Sequence, residues 1–375
     1  MKRRQFIRSA AAASVSIKGA RALRAGTRLR LLILGGTQFI GVHMTELALK
    51  RGYQVTLFNR GKTHGDLFPQ VEKLRGDRNG QLDALKGRSW DAVIDDSGYL
   101  PRHVRLSAEL LAPHVQRYVY VSSISAYASF AKPIDERSPL GTLKDEGTEK
   151  VTEETYGPLK ALCEKAVEIA MPHRAIVLRP GFIVGPYDPT DRFTYWPARA
   201  ARGGEMLAPG NPGQGIQFID ARDLARFTLD AIERDLTGTF NLVSPPGRFT
   251  MGELISSSIG AAQTLAGPGS SASAVWVSLE FLQQQKAEGD FPIWLPPTGD
   301  TAGFAKVSAA RAVEAGLRVT PLGTTVRDTL AWYLGQPESQ RVHLKAGPTP
   351  EREKELLDAW RAAGKPEADS GSSAV

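Results

Sequence analysis

Short apolar runs alternate with amphipathic segments along the first half of the chain. The apolar runs are followed by glycine or polar residues, as expected of buried strands, whereas the segments between them repeat apolar residues at helical spacing. The predicted strands are 29–34, 54–58, 92–95, 118–121 and 175–178, and the predicted helices are 39–51, 101–112 and 156–171. This alternation predicts an α/β fold with a doubly wound, mostly parallel sheet whose ligands lie at the carboxyl ends of the strands.

The formal charge of +7 over 375 residues is concentrated at the N-terminus. Residues 1–30 hold nine basic residues and no acidic one, which leaves 38 basic and 40 acidic residues in the rest of the chain. Because a nearly neutral body gives no support for a surface that binds polyanions, no nucleic-acid partner is expected. The charge-free run at 254–279 is serine-rich and contains Pro268, so no membrane span is expected either.

The basic N-terminus has the layout of an export signal. Arg3 and Arg4 are followed by Phe6, then by an apolar stretch at 9–17 and a small-x-small sequence at 20–22. This layout resembles a signal peptide of the twin-arginine type, which predicts that residues 1–26 are an address and that the protein is exported to the periplasm. The alternative is a disordered basic tail on a cytoplasmic protein.

A glycine-containing turn, GGTQFIG at 35–41, joins the first predicted strand to the first predicted helix. Glycines let the backbone approach a pyrophosphate, whose charge is met by the helix N-terminus, so this context predicts a dinucleotide site. Gln38 stands where the G-x-x-G-x-x-G pattern of short-chain dehydrogenases has its middle glycine, and a packing turn without a ligand is the alternative. The predicted contacts in the turn are Gly35, Thr37, Gln38, Phe39, Ile40 and Gly41.

The end of the second predicted strand bears on which dinucleotide is bound. An acid usually holds the ribose hydroxyls at this position, but here Asn59 is followed by Arg60 and Lys62. Arg60 suits the 2′-phosphate of NADP, whereas Asn59 could bond the ribose of NAD, and a solvated basic turn without a ligand is a third reading. The cofactor is predicted to be NAD, with NADP possible.

Tyr156 and Lys160 are four residues apart and share one face of a predicted helix. A nearby ammonium stabilises a phenolate, so such a pair can act as a general acid or base closer to neutral pH than a free tyrosine. Ser123 follows another predicted strand and could orient the reacting oxygen. Pro158, between the pair, is expected in the first turn of the helix, where proline is tolerated. The spacing alone is common by chance, but its setting favours catalysis.

The order of these motifs is similar to that of extended short-chain dehydrogenases/reductases of the NAD-dependent epimerase/dehydratase family, over roughly residues 29–335. The matching stretches are GGTQFIG (35–41), YVYVSSISAY (118–127), YGPLK (156–160), LRPGFIVGPYD (178–188), QFIDARDLA (217–225) and GTFNLVSP (238–245). The resemblance implies a Rossmann-like sheet with Tyr156 as the acid/base and Ser123 as the family's catalytic serine or threonine. It also implies that Lys160 lowers the pKa of Tyr156 and holds the nicotinamide ribose.

The same resemblance implies further cofactor contacts. Asp77 would lie by the adenine, Ser97 and Gly98 would lie near the ribose and phosphates, and Pro180 and Ile183 would flank the nicotinamide. The turn that contains Gln38, together with the Asn-Arg-Gly sequence at 59–61, resembles a branch of the family that includes chloroplast RNA-associated proteins.

A smaller C-terminal α/β lobe is expected to bind the substrate. Aromatic and polar residues mix at 187–196 as in a sugar site, and Arg192 and Arg222 are predicted substrate contacts together with Ser123 and Tyr156. A loop with packed aromatics, and an ion pair for Arg222, are the alternatives. The predicted boundaries are a signal peptide at 1–26, a Rossmann domain at 27–185, a substrate lobe with segments that return to the sheet at 186–345, and a tail at 346–375.

These features predict an epimerase/dehydratase-like enzyme that acts on a sugar or related polyol, with a proton moved by Tyr156 and a hydride exchanged with bound NAD. Outside the cytoplasm no pool regenerates the nicotinamide, so export favours a cycle that restores its own cofactor. The alternatives are an NADP-dependent reductase of the cytoplasm and a non-catalytic RNA-binding or scaffold protein on the same fold. The resemblance also implies a possible homodimer, and no metal ion is expected.

Overall fold

The computed structural model describes residues 28–267 and 269–364. The predicted signal peptide at 1–26 lies outside these residues, so export stays a prediction. Within the described ranges, no helix is both long enough and apolar enough to cross a membrane.

Strands and helices alternate through most of the described chain. The strands are β1 (Arg30–Leu34), β2 (Gln54–Asn59), β3 (Glu72–Arg75), β4 (Ala92–Asp95), β5 (Arg117–Val121), β6 (Ala175–Pro180), β7 (Phe182–Val184), β8 (Gly204–Pro209), β9 (Gly215–Ile216), β10 (Phe218–Asp220), β11 (Gly238–Leu242), β12 (Phe249–Thr250) and β13 (Ala272–Val277). The helices are α1 (Ile40–Lys50), α2 (Pro101–Leu111), α3 (Glu153–Ala170), α4 (Tyr195–Ala201), α5 (Ala221–Glu233), α6 (Met251–Leu265), α7 (Leu279–Gln284), α8 (Ala310–Glu314), α9 (Leu322–Leu334), α10 (Glu338–Arg341) and α11 (Pro350–Ala362).

Seven parallel strands form the main sheet in the order β11-β6-β5-β4-β1-β2-β3. The side chains of β1 and β4 are buried on both faces of the sheet, which is why these strands read as unbroken apolar runs. The chain order reverses between β1 and β4, and ligands of such sheets bind beyond the carboxyl ends of the strands at this point. The predicted doubly wound parallel sheet is confirmed.

Helices cover both faces of the sheet. On one face α1 packs with α5, and Met44 and Leu224 belong to the same buried cluster. On the other face α2 packs with α3 through a second cluster that contains Val104 and Val167. The glycine turn before α1 is thereby held between the sheet and a packed helix pair.

Helix α3 begins at Glu153, three residues before the predicted start. Thr152 caps it, because its hydroxyl accepts the Thr155 N–H while the Thr155 hydroxyl bonds the Thr152 N–H. Pro158 therefore lies inside the helix, and its expected place in the first turn is wrong. Because proline has no N–H, α3 lacks the hydrogen bond that this position would donate to the carbonyl of Glu154.

The smaller lobe contains three short strand pairs and the helices α4, α6, α7, α9 and α11. Strands β8 and β13 pair in parallel, as do β7 and β10, whereas β9 and β12 are antiparallel. Helices α4, α6 and α9 pack together, and a buried cluster that includes Phe193, Trp196 and Phe218 forms the core of this lobe.

Helix α11 packs into the smaller lobe, although the predicted tail begins at 346. Leu356, Leu357 and Trp360 are buried in the core of the lobe. Glu353 is also buried and forms an ion pair with Arg199 on α4. Its other carboxylate oxygen accepts the N–H of a residue in β8. Residues 350–362 are therefore a structural part of the lobe.

Candidate active site

A cavity of about 1060 Å³ lies at the carboxyl ends of the sheet strands and extends to the smaller lobe. Most of the predicted site residues line it: Gly35, Thr37, Gln38, Phe39, Ile40, Asn59, Arg60, Asp77, Ser97, Ser123, Tyr156, Pro180, Ile183 and Arg192. The lining does not include Gly41, Gly98, Lys160 or Arg222. The topology therefore gathers residues that are up to 157 positions apart in sequence into one chamber.

The glycine turn has a backbone that side chains would obstruct. Gly35 and Gly36 have positive φ values of 131° and 85°, and a Cβ on Gly36 would lie 2.5 Å from Leu57. A Cβ on Gly41 would meet the backbone of Gly36 at 2.7 Å. The positive φ next in the turn falls on Phe39, at 42°, and not on Gln38. Gln38 can therefore replace the usual glycine with its side chain exposed at the cavity.

Four consecutive amide groups of this turn, those of residues 37–40, have no acceptor among the described residues. They lie at the N-terminus of α1, whose first turn carries no acidic residue. Unpaired N–H groups and the positive end of the helix dipole form a cradle for an anion such as a diphosphate. The turn therefore fits the diphosphate of a dinucleotide.

Asp96, which follows β4, lies against the same turn and was not predicted as a site residue. Its Oδ2 accepts the Gly36 N–H at 3.1 Å, and a Cβ on Gly35 or Gly41 would collide with the carboxylate. Burial raises the pKa of Asp96 to about 7, against the Gly36 N–H bond that lowers it. The charge of Asp95 raises that pKa further, and the charges of Arg78 and Lys160 lower it.

The side-chain amide of Asn59, at the end of β2, is hydrogen-bonded within the protein. Its Oδ1 accepts the Gly61 N–H at 2.9 Å and Arg75 Nη1 at 2.8 Å, and its Nδ2 donates to Gly35 O at 3.0 Å. The oxygen is thus occupied by two donors and is poorly placed to accept from a ribose hydroxyl. Arg60 is exposed, lines the cavity and has no carboxylate within salt-bridge distance among the described residues.

Arg78 closes the wall of the cavity beside Asp77, and the sequence reasoning missed it. Its guanidinium donates to both oxygens of the buried Asp95 at 2.6 and 2.5 Å, and to Ser107 at 2.8 Å. Tyr118 donates to Asp95 at 2.8 Å. These hydrogen bonds tie the residues after β3 to the sheet and so fix the wall at this end, whereas Arg78 Nε is buried without a partner among the described residues.

Ser123 and Tyr156 both line the cavity. Ser123 caps a short 3-10 turn, and its hydroxyl accepts the Ser125 N–H at 3.0 Å. Burial raises the pKa of Tyr156, whereas the neighbouring Ser123 hydroxyl and the positive charge of Arg192 lower it. The Ser123 hydroxyl and the Arg192 guanidinium therefore favour the ionised form of Tyr156.

Lys160 is buried behind the cavity. Its Nζ donates to Gly98 O at 2.8 Å and to Val121 O at 2.6 Å, and lies 4.5 Å from the ring centroid of Tyr120. Burial lowers its pKa to about 8. Lys160 thus braces the carboxyl ends of β4 and β5 and keeps one N–H proton for a further acceptor.

A buried ion pair supports the serine-bearing strand end. Glu164 on α3 accepts from Ser122 Oγ at 2.5 Å and from two nitrogens of Arg179 at 2.9 and 2.6 Å. The two charged side chains are 8% and 5% exposed. The network connects α3, β5 and β6, and so fixes Tyr156 relative to Ser123.

The predicted substrate residues separate in the structure. Arg192 lines the cavity, with its Cζ 5.0 Å from the ring centroid of Phe182. Arg222 lies outside it and bonds Asp220 and Asp328, which matches the ion-pair alternative. Within residues 28–267 and 269–364, no group of His, Cys, Asp or Glu side chains has an arrangement that could hold a metal ion.

Part of the chain matches a known protein family. Residues 31–242 match the family described as "NAD dependent epimerase/dehydratase family". The chloroplast stem-loop binding protein of 41 kDa b from Arabidopsis thaliana is 28% identical over 233 residues. That match covers 57% of this chain and 58% of the relative, so the chain spans less than two thirds of that protein.

Solved structures with the same fold include two enzymes. The Bordetella bronchiseptica enzyme WbmH, in complex with NAD+, is 17% identical with a TM-score of 0.57, over 82% of this chain and 99% of that one. A UDP-glucose 4-epimerase is 16% identical with a TM-score of 0.61, over 82% and 98% of the two chains. At these identities the likeness shows the fold alone.

Proposed function

Because the chain belongs to the NAD dependent epimerase/dehydratase family, we propose that it binds NAD or NADP in this cavity and moves a proton and a hydride on a sugar or related polyol. One observation carries the proposal. The hydroxyl-bearing residues Ser123 and Tyr156 line the same cavity as a glycine turn that leaves four amide groups available to a diphosphate.

The dinucleotide would lie along the strand ends. Residues proposed to hold it are Gly35, Thr37, Gln38, Phe39 and Ile40 at the diphosphate, Asn59, Arg60 and Asp77 at the adenosine, and Ser97, Pro180 and Ile183 toward the nicotinamide. Gly41, Gly98 and Lys160 do not line the cavity and would support its wall from behind. When bound, the nicotinamide supplies an acceptor for a hydride that can be returned to the substrate.

Tyr156 is proposed to accept a proton from a substrate hydroxyl at its phenolate oxygen. Ser123 would orient that hydroxyl, and a hydrogen bond donated by the Ser123 hydroxyl would stabilise the phenolate. Arg192 would stabilise the same negative charge from the opposite lobe. Lys160, which bonds two carbonyls, would act chiefly by holding the strand ends in place.

We favour an epimerase, in which the hydride returns to the substrate. The reason is the predicted export signal, because an exported enzyme has no pool of reduced nicotinamide to draw on. The second candidate is an NADP-dependent cytoplasmic reductase. The saturated amide of Asn59 and the unpaired Arg60 favour it, since they suit a 2′-phosphate better than a free ribose hydroxyl.

Native mass spectrometry of the full chain tests both candidates by identifying the nucleotide that accompanies it. Bound NAD and turnover without added cofactor support the epimerase, whereas a stoichiometric requirement for NADPH supports the reductase. Replacement of Arg3 and Arg4 by lysine tests the export signal, and an unchanged distribution between cytoplasm and periplasm would contradict it.

The Tyr156→Phe variant tests the chemistry. It should bind the dinucleotide normally but lose about 10²- to 10⁴-fold in the rate at which a panel of sugars reduces the bound nicotinamide. Tyr99→Phe is the matched control, because the Tyr99 ring lines the same cavity 6.4 Å from the Tyr156 ring. A full-length protein that binds neither NAD nor NADP, or equal losses in both variants, would refute the proposal.

RNA binding without catalysis is the third candidate, favoured by the similarity to the stem-loop binding protein of Arabidopsis thaliana. It predicts strong binding to RNA stem-loops that weakens steeply with salt and does not change in Tyr156→Phe. The near-neutral charge of residues 31–375 speaks against it.

A further inference from the structure

Arg192 ends in a hydrogen-bonding edge that no described residue uses. Its Nε donates to Thr190 Oγ1 at 3.0 Å, and that hydroxyl donates to Asp188 Oδ1 at 2.6 Å. The guanidinium is thereby fixed from one side. Its Nη1 and Nη2 have no acceptor within the described part of the chain, and this pair of nitrogens is the geometry that binds carboxylate or phosphate with two parallel bonds.

One aromatic ring packs against this cation, and a second packs against the first. The Arg192 Cζ lies 5.0 Å from the ring centroid of Phe182, which in turn lies 5.3 Å from that of Phe304. All three residues line the cavity. An apolar wall lowers the local dielectric, so a charge contact made here is stronger than one at the open surface.

Other arginines in the interior are neutralised. Each of three pairs with a buried carboxylate: Arg78 with Asp95, Arg179 with Glu164 and Arg199 with Glu353. Each of these three structural arginines therefore has a buried counter-charge. Arg192 differs because no carboxylate lies within salt-bridge distance of it among residues 28–267 and 269–364.

A second cation comes from the C-terminal segment before α11. Lys345 lines the cavity beside Thr190 and Arg192, and its Nζ donates to Pro189 O at 2.8 Å. Its backbone N–H is held by Asp191 Oδ2 at 3.0 Å. The ammonium keeps two further N–H groups. The acids that line the cavity, Asp77 and Asp96, belong to the strand ends at the dinucleotide side.

We propose that Arg192, assisted by Lys345, binds an anionic group carried by the sugar or polyol itself, either a carboxylate or a phosphate. The inference deepens the proposed function and rests on it, because it assumes that this end of the cavity receives the substrate. Arg192 is near enough to Tyr156 for its charge to act on the phenol. Because Arg192 and Tyr156 line the same cavity, the proposed anion lies on the molecule that reacts.

Calorimetric titration of the full chain saturated with NAD+ or NADP+ tests the inference. The probes are glucose, glucuronate, glucose 6-phosphate and UDP-glucose. Glucuronate or glucose 6-phosphate should bind about tenfold to hundredfold more tightly than glucose, and Arg192→Gln should abolish that preference. Comparison of the two anions distinguishes a carboxylate from a phosphate.

Two further variants keep the test interpretable. Arg192→Lys retains the charge without the two-nitrogen edge and should give an intermediate preference. Arg248→Gln is the matched control, since Arg248 stacks on Phe249 at 5.2 Å but does not line the cavity, and it should change nothing. Thermal unfolding of each variant checks that the fold is retained.

Several results would overturn the inference. Equal affinity for charged and neutral probes, including no measurable binding of either, would do so, as would an Arg192 dependence confined to UDP-glucose. The proposed function fails separately. If the chain binds no dinucleotide but the anionic probes still depend on Arg192, the anion site survives and the nicotinamide chemistry does not.

Discussion

Asp96→Asn should remove a pH dependence from dinucleotide binding. Asp96 bonds the Gly36 N–H inside the glycine turn proposed to hold the diphosphate, so an ionised carboxylate there opposes a second anion. The neutral acid has no such charge and can donate a hydrogen bond. Binding should therefore select the protein in which Asp96 is protonated.

The magnitude follows from the pKa of about 7 that burial gives Asp96. About nine-tenths of the carboxyl is neutral at pH 6 and about one-tenth at pH 8, so the apparent Kd should rise about tenfold over this interval, or about 1.4 kcal/mol. The Asp96→Asn variant should bind at all pH values as the wild type does at pH 6.

Stability gives a second readout with a defined sign. The pKa of Asp96 is raised in the folded chain, so as pH increases the unfolded chain releases this proton first. The Asp96 contribution to the free energy of unfolding should fall between pH 3.8 and about 7, by at most about 4 kcal/mol. Asn at this position should remove that part of the slope.

Fluorescence titration with NAD+ from pH 5.5 to 8.5 measures the effect, because the diphosphate of NAD+ keeps its charge over this range. Asp77→Asn is the control, since Asp77 lines the same cavity but is not bonded to the glycine turn. It should retain the wild-type pH dependence even if it weakens binding. A flat wild-type profile, or an unchanged slope in Asp96→Asn, would refute the reasoning.

Three further predictions concern selectivity and stability. Arg60→Ala should weaken NADP+ binding by about tenfold while leaving NAD+ binding nearly unchanged, and equal losses for both would contradict a 2′-phosphate contact. Glu164→Gln should lower the free energy of unfolding by about 3–5 kcal/mol in urea titrations, because it leaves the buried Arg179 without its counter-charge. Trp360→Ala should cost about 3–5 kcal/mol in the same assay, and a neutral result would mean that α11 is dispensable to the lobe.

Five of the seven strands of the main sheet were predictable because they are buried and read as apolar runs. The polar edge strand β3, and β11, were not predicted. Helix boundaries that depend on N-terminal capping were harder to predict from the sequence. Apolar periodicity begins at Tyr156, but the first turn of α3 is polar and is defined by the hydroxyl exchange between Thr152 and Thr155. Helix α11 has only a weak apolar stripe, and its packing depends on a lobe whose core comes from distant segments.

The site was predictable where chemistry follows a strand end, because parallel strands bring their carboxyl ends to one edge. Asp96, like its neighbour Ser97, follows the end of β4, so its position could have identified it as a site residue. Lys345 could not, since it reaches the cavity through a contact with Pro189 that is 156 residues away in sequence. The burial of Lys160 between two carbonyls also depends on geometry that spacing does not encode.

The pH dependences expected from Asp96 and Tyr156 have opposite signs, and this difference distinguishes the epimerase from the reductase. Neutral Asp96 favours cofactor binding below about pH 7, whereas the phenolate of Tyr156, with a pKa raised by burial, is favoured at higher pH. A reductase must rebind its nucleotide in every turnover, so its kcat/KM for the nucleotide should fall about tenfold from pH 6 to pH 8. An epimerase keeps its nucleotide bound, so nucleotide binding is not part of each turnover. Its rate should therefore rise with pH as the phenolate forms. The pH profile of turnover therefore tests whether the cofactor stays in the cavity, independently of which sugar is the substrate.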